Sequence, residues 1–516
     1  MISRYFVTLD GPAHLYNARV ILEIILGKNS EIPALFTINP LPVPNWSGHF
    51  LMVLGSAILP AWLSEKVVLL AYFILTPLFF RKLVLHLYPQ NQLLTYPIIL
   101  FTHNHLFYFG SFNMAIGIML MFLTGFVFVR YLNRLNIKNA LILGVLLLSV
   151  YFSHAMILMI TIGFIAALAL ITTPRKYESG SVTFTAPNSM IRRLILIALA
   201  ALPSMILLVL FFGSVDTLEP ATRPDLPMLF QWIVDVRPLL ALAYNDRWTF
   251  WTNLLFGSFM LIIISNLILV IRHHVVWADG KIKLTTPVNL SWVWFLCWFI
   301  FLFLFLIVHN SIVLIDRLII VFFLFFILWL ASLRTHRVIR IAALLIVVVV
   351  HLVFTSLYWK TMPVLSKDAI AMEKASAHIP DNSLVLTLSE SDNWLHQRIT
   401  GYLGADRPIA VIENYEAGLE WFPVKWNQKV YDLNFLAHYG VNNIDVAGWT
   451  YINKEDSTCF SLKNIRNELK PIPWVLTMHD LSSPSVLKDS VLQNMLNHHY
   501  EKVYSEGFCN LYQLKD

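Results

Sequence analysis

Few side chains in this sequence are equipped for chemistry, and they come in short groups. Asp10-Gly11-Pro12 is a rigid turn that presents a carboxylate where a helix would begin, followed by His14 and Asn17. Asn45 and His49 lie further along the same N-terminal segment. Inside long apolar runs stand His103-Asn104-His105, Asn113, His154, and the group His309, Asn310, Asp316 and Arg317. A carboxylate near several imidazoles and an arginine, at the level of lipid headgroups, suits chemistry on a lipid-linked phosphate. The arginine or a metal ion offsets charge on the leaving phosphate, while the carboxylate takes a proton from an attacking hydroxyl. Each group also has a structural alternative. Asp10 can cap its helix, His103, His105 and His154 taken singly can bond to a neighbouring helix, and Arg317 can snorkel to the interface. His273, His274 and His336 read as ordinary loop residues.

The rest of the chain must position these groups, and its composition suits a bilayer. Of 516 residues, 57% are apolar and 13% charged, with a mean hydropathy of +0.66; soluble chains run near about 50% and about 25%. Disorder, collagen and a disulfide-rich secreted scaffold are excluded. Runs long enough to cross a hydrocarbon core of about 30 Å occur at 67–85, 93–109, 112–130, 139–153, 155–173, 194–213, 250–271, 288–308, 313–333 and 340–358. The continuous stretch 139–173 is too long for one crossing and is split between Tyr151 and His154.

The formal charge of +6 resolves into +11 over 1–358 (23 Lys+Arg, 12 Asp+Glu) and −5 over 359–516 (14 and 19). Loops 81–92, 131–138, 174–193, 272–287 and 334–339, with Arg130 and Arg340 at their edges, carry 15 Lys+Arg against Glu178 and Asp279. Positive charge in short loops fixes orientation, which explains the basic balance better than nucleic-acid binding, and puts these loops in the cytoplasm. The acidic connection 214–249 and everything after Trp359 then face outward, and the polar intramembrane groups gather at the outer boundary. Ionisable groups there are functional candidates by default.

Parity places 1–66 outside as well. Residues 13–26 carry apolar side chains at helical spacing and read as an interfacial amphipathic helix, and 50–62 is too short to span. The expected architecture is an external loop with juxtamembrane helices (1–66), a polytopic α-helical membrane domain of about 10–11 transmembrane helices (67–358) and a small extracytoplasmic α/β domain (359–516). In the tail, short apolar runs at Leu384–Leu388, Ile409–Ile412, Asn443–Ala447, Trp474–Thr477 and Tyr500–Tyr504 predict strands, with helices near 368–378 and 485–497. The tail has no Gly-rich phosphate loop, Cys-x-x-Cys pair or Gly-x-Ser-x-Gly elbow. Cys297 reads as a packing residue, and Cys459 with Cys509 as a pair that an oxidising compartment would allow to join.

Asp10-Gly11-Pro12-Ala13-His14-Leu15-Tyr16-Asn17-Ala18, then Pro44-Asn45-Trp46-Ser47-Gly48-His49 and Glu65-Lys66, resemble the first external loop of C-type (GT-C) membrane glycosyltransferases. The resemblance implies a first transmembrane helix preceding residue 1, residues 50–62 as a juxtamembrane helix, and Asp10 as catalytic base or as ligand of a divalent metal. It implies a donor sugar on a polyprenyl phosphate, an acceptor outside the cytoplasm and a home in the cytoplasmic (inner) membrane. On this reading Asp10 and His14 are catalytic, and Arg317, Asp316, His103, His105, Asn113, His154, Asn45 and His49 bind substrate. Many members carry an acidic pair in the next external turn, where this chain has His103-Asn104-His105 and Asn113. Two other readings remain open. One is a transporter or flippase of a lipid-linked substrate. The other is a non-catalytic relative whose tail binds a protein partner through Asn414-Tyr415-Glu416-Ala417 and Trp421, Phe422 and Trp426.

Overall fold

A computed structural model describes residues 3–27, 31–172, 183–184, 187–214, 224–278, 281–284, 291–308, 312–389, 391, 393–427, 473–478 and 496–515. The chain divides into two compact units. One comprises Met1–Leu70, Phe109–Asn113 and Tyr358–Asp516, the other Ala71–Tyr108 and Met114–Leu357.

Among the described residues, six helices are long and apolar enough to cross a membrane: Ala61–Leu87, Phe112–Arg134, Ser189–Ser214, Asp246–Arg272, Leu314–Ser332 and Arg337–Ser376. Three shorter apolar helices, Ile137–Ser153, Ala155–Ala169 and Ser291–Ile307, add to them. Leu202, Val209, Leu345 and Leu352 are each more than half exposed on these helices, a surface that suits hydrocarbon better than water. The Ile312–Ser332 helix is nearly enclosed within the second unit. Its Phe322, Phe326 and Trp329 interleave with Trp298 and Phe295 of the Ser291–Ile307 helix, the two tryptophans stacking at 5.1 Å. The long apolar stretch after 137 does break in two. His154 is extended (φ −163°, ψ 123°) between the Ile137–Ser153 and Ala155–Ala169 helices.

The expected span 93–109 is not one helix. It is a 3-10 segment, Pro89–Thr95, and two short helices, Ile98–Thr102 and His105–Tyr108. The break has a local cause: the Asn104 amide donates to Phe101 O at 2.8 Å and its oxygen accepts from Phe107 N at 3.0 Å. A side chain that bonds the backbone on both sides competes with the helical ladder. Nor does the last helix stop at 358; Arg337–Ser376 runs on through Pro363. The polar sequence after Trp359 carries no helix breaker strong enough to end it, because proline leaves only one backbone bond unmade and bends a long helix without stopping it.

The first unit is built on a five-stranded mixed sheet. Leu384–Ser389 is parallel to Ala410–Val411 on one side and Trp474–Met478 on the other; Cys509–Leu514 then pairs antiparallel with Trp474–Met478, and Tyr500–Glu506 closes the edge. The tail regions expected as Asn443–Ala447, helix 485–497 for most of its length, and Cys459 lie outside the described residues. Cys509 is buried.

Chain ends far apart in sequence are joined in this unit. Phe36–Ile38 pairs antiparallel with Val424–Trp426, and Phe36 stacks on Trp426 at 4.4 Å. Asn39 donates to Glu420 O and Phe422 O at 2.9 and 3.0 Å. The Gly11–Leu26 helix is not an interfacial one, since every residue from Gly11 to Ala18 is buried. Its polar side chains have partners in the tail. The Tyr16 hydroxyl donates to Ile409 O at 3.0 Å and accepts from Val411 N at 2.9 Å, and Gly401 packs so closely that a Cβ there would meet Pro12 O at 2.4 Å. The amphipathic spacing was therefore reading a buried contact with protein.

Candidate functional site

In the first unit the sequence's N-terminal candidates converge. Pro12 within the first turn and left-handed Gly27 past its end bound the first helix. A helix puts residues four apart on one face, so Asp10 and His14 stand one above the other. Asp10 occupies the N-cap position, yet its side chain makes no cap hydrogen bond. Thr8 Oγ1 accepts the Gly11 N–H at 3.1 Å instead. The structural alternative for Asp10 is thereby removed.

His49 comes from the Ser47–Ser56 helix and Glu416 from the 3-10 turn Tyr415–Gly418. His14 Nδ1 lies 2.5 Å from Glu416 Oε1, and His49 Nε2 lies 2.9 Å from Glu416 Oε2. The two imidazoles meet edge to face, Nδ1 to Nε2 3.3 Å. All three side chains are buried. Outer contacts fix each in place. His14 Nε2 donates to Gly110 O at 2.8 Å, His49 Nδ1 donates to Asn45 O at 3.0 Å, and Glu416 Oε2 accepts from Asn17 Nδ2 at 2.6 Å. Asn17 and Asn414 also exchange amide bonds at 3.1 and 2.7 Å.

Two backbone devices make this possible. Gly110 has φ +84°, and a Cβ there would fall 2.6 Å from Asp10 N, so only glycine lets the turn carry its carbonyl to His14. Asn45 takes φ +68°, a conformation asparagine tolerates better than most residues. Asn113 does not line the cluster. Its Oδ1 accepts from Gly48 N at 2.7 Å and so caps the helix that carries His49.

Electrostatics follow from this burial. Burial pushes the Asp10 carboxyl up to about 6; Glu416 adds to the rise, while His14, Tyr415 and Arg398 pull against it. Asp10 is itself only partly buried by surface area, so it sits at the lip of the cluster with protein dense around it and a face open. Burial opposes charge on His14, but Glu416, with Asp10 and the Gly110 carbonyl assisting, keeps its proton bound above the ordinary imidazole range. Burial also opposes ionisation of Glu416, and His14 and His49 overcome it, holding the carboxyl well below its usual range. The cluster is thus a buried carboxylate that collects positive charge beside a more basic, reachable one. His14, His49 and Glu416 offer ligand atoms all within 4.8 Å of one another, the spacing of a metal site.

The remaining candidates belong to the second unit. His105 Nε2 and Arg237 Nε lie 3.4 and 3.5 Å from Asp316 Oδ1, and Arg237 stacks over Trp232 at 3.7 Å. Arg237 follows Val236, a β-branched residue at φ +46°. His103 stacks on Phe73 at 4.3 Å, with His351 at 6.3 Å. His154 is the helix break, facing Gly117, and Arg317 is the neighbour of Asp316. His309 and Asn310 lie outside the described residues.

Sequence reasoning missed Glu416 and Arg237. Glu416 stands 367 residues from His49 and no motif marks it. Asn414–Ala417, read as an exposed partner surface, is buried, because these residues hold the helix of Asp10 and His14. Trp426 is buried with them, while Trp421 and Phe422 are partly exposed. No family model matches the chain, and no curated protein sequence matches it.

Proposed function

We propose that the chain is a polytopic membrane transferase that moves a sugar from a lipid-phosphate donor to an acceptor hydroxyl outside the cytoplasm. Asp10 takes the proton of that hydroxyl as it attacks the sugar carbon and the lipid phosphate leaves. His14 and Glu416 hold Asp10's surroundings polar and fixed. Lipids and a polyprenyl-phosphate sugar are its partners.

The observation that carries this reading is the Asp10 carboxylate itself. It stands where a capping residue belongs, caps nothing, keeps one face open, and has its affinity for protons raised to about 6 by burial. A carboxylate tuned toward neutrality suits a general base, whose best affinity lies near the working pH. The helices long and apolar enough to cross a membrane support the lipid-borne donor. Asp10→Asn, incorporated into liposomes with polyprenyl-phosphate sugars, tests the role: transfer should fall by about 10²- to 10⁴-fold while the protein keeps its elution profile and unfolding temperature. Full transfer by that variant would remove Asp10 from the mechanism.

One observation favours the transporter reading. The helix interrupted at His103-Asn104 and the break at His154 are discontinuities of the kind that line transport sites. Movement of a lipid-linked sugar across vesicles with no glycosidic product would decide for it.

A further inference from the structure

The buried atoms at the centre of the first unit are short of donors. Gly110 O and Asn45 O can only accept, so His14 Nε2 and His49 Nδ1 must carry hydrogen to bond with them. In neutral rings the lone pairs then fall on His14 Nδ1 and His49 Nε2, which face each other at 3.3 Å and face the Glu416 oxygens at 2.5 and 2.9 Å. Glu416 Oε1 is buried and, among the described residues, faces only His14 Nδ1. A proton on His14 Nδ1 serves Glu416 Oε1 and still leaves His49 Nε2 facing Glu416 Oε2 acceptor to acceptor. A cation at the centre satisfies all of them at once.

We propose that His14 Nδ1, His49 Nε2 and the Glu416 carboxylate bind one divalent ion of the Zn²⁺ class, with a fourth position open toward Asp10. Four features of the site support this. Bonds of about 2.0–2.1 Å in a tetrahedron put neighbouring ligand atoms roughly 3.3–3.4 Å apart; the two imidazole nitrogens already stand 3.3 Å apart, and the Glu416 oxygens, at 2.5 and 2.9 Å from them, need to draw back by less than 1 Å. Two imidazoles with one carboxylate suit a borderline ion better than Mg²⁺ or Ca²⁺, which prefer oxygen. Each ligand has the outer partner that metal sites use to fix ring orientation: a backbone carbonyl for each histidine and the Asn17 amide for the carboxylate. Finally, Glu416 and Asp10 together carry the charge that balances a divalent cation, which a buried ion requires. The ligand set differs from the single acidic residue that the family resemblance offered, since Glu416 comes from the tail. Only what the ion would do for a reaction rests on the transferase reading; its binding does not.

The test uses the full chain in detergent, purified without a polyhistidine tag, stripped with EDTA and titrated with Co²⁺ as a spectroscopic probe, then with Zn²⁺. One Co²⁺ per chain is expected, with visible absorption that Zn²⁺ abolishes. His49→Ala and Glu416→Gln should each weaken binding by about 100-fold or more, at or beyond the loss caused by removing an outer partner; His396→Ala, elsewhere in the same unit, should leave it unchanged. X-ray absorption of the Zn²⁺-loaded wild-type chain needs no variant and should show scattering from two imidazoles. Substoichiometric binding, an all-oxygen shell, or binding that survives both cluster variants overturns the proposal. A chain that binds Co²⁺ but yields no glycosidic product retains this site and sinks the transferase reading, whereas transfer by a stripped chain that takes up no metal does the reverse.

Discussion

Replacing Gly110 with alanine probes the turn that locks the cluster. Gly110 carries φ +84°, and a Cβ would stand 2.6 Å from Asp10 N, 2.7 Å from Gly11 N and 2.8 Å from Asp10 Cα. Two costs add. A left-handed conformation costs an L-residue roughly 1–2 kcal/mol. The clash is with backbone atoms that cannot rotate away, so the 109–113 turn must lift from the start of the first helix, an overpacking cost of about 1–3 kcal/mol. The total is near 3 kcal/mol, or a fall of about 6–12 °C in the unfolding temperature of a unit this size. Gly27→Ala is the control: φ is +60° and nothing lies within 4 Å of its Cβ. It should lose only the first cost, about 2–8 °C and less than Gly110→Ala measured beside it. Both variants are read by tryptophan fluorescence in detergent at one scan rate, because unfolding of such proteins is often irreversible. Equal shifts would refute the close approach of the turn to Asp10, and with it the carbonyl contact that sets the His14 tautomer.

Three further outcomes follow from the same geometry. Asn17→Ala removes the donor to Glu416 Oε2 and half of the reciprocal amide pair with Asn414; leaving a buried carboxylate short of a bond should destabilise the first unit by about 3 kcal/mol in denaturant titration, and a loss within experimental error would contradict its role. Burial pushes Glu413 up to about 7 against Arg398, Thr400 and Thr387. The folded state therefore favours the protonated acid, so its stabilisation is complete below about pH 4.5 and is lost as pH rises through about 7. Glu413→Gln keeps the neutral form at every pH, so between pH 4.5 and 7.5 the wild-type chain should lose up to about 3 kcal/mol relative to it, and a pH-independent gap would refute the shift. For orientation, a chain with its native cysteines replaced should react with an impermeant maleimide from outside at Asp225→Cys and not at Lys138→Cys; the reverse pattern would overturn the orientation expected from the loop charges.

Legibility in the sequence tracked how local the physics is. Hydropathy found nine of the ten apolar runs as helices, and the excess length of 139–173 correctly required a break near His154, because burial in apolar surroundings depends on composition alone. The run 93–109 misled for the opposite reason: its average is apolar, but one side chain, Asn104, decides the backbone. Amphipathic spacing in 13–26 identified a helix and could not say whether its apolar face meets lipid or protein. The strands at 384–389 and 474–478 were visible from their apolar runs, while Cys509–Leu514 was not, because Asn510 and Gln513 interrupt its apolar residues although Asn510 is buried with them. At the site, Asp10, His14 and His49 stood out because a scarcely charged chain leaves few such groups. Glu416 did not, since its meeting with them depends on pairing between chain ends hundreds of residues apart.

The central claim is that Asp10 is the base of a lipid-phosphate-dependent transfer. Its most direct test is the rate at which liposome-reconstituted wild-type chain and Asp10→Asn release polyprenyl phosphate from a set of polyprenyl-phosphate hexoses and pentoses in the presence of acceptor glycans. Release coupled to a glycosidic product is expected with the wild-type chain on at least one donor, and loss of both with the variant. Equal release and product from the two chains would contradict it.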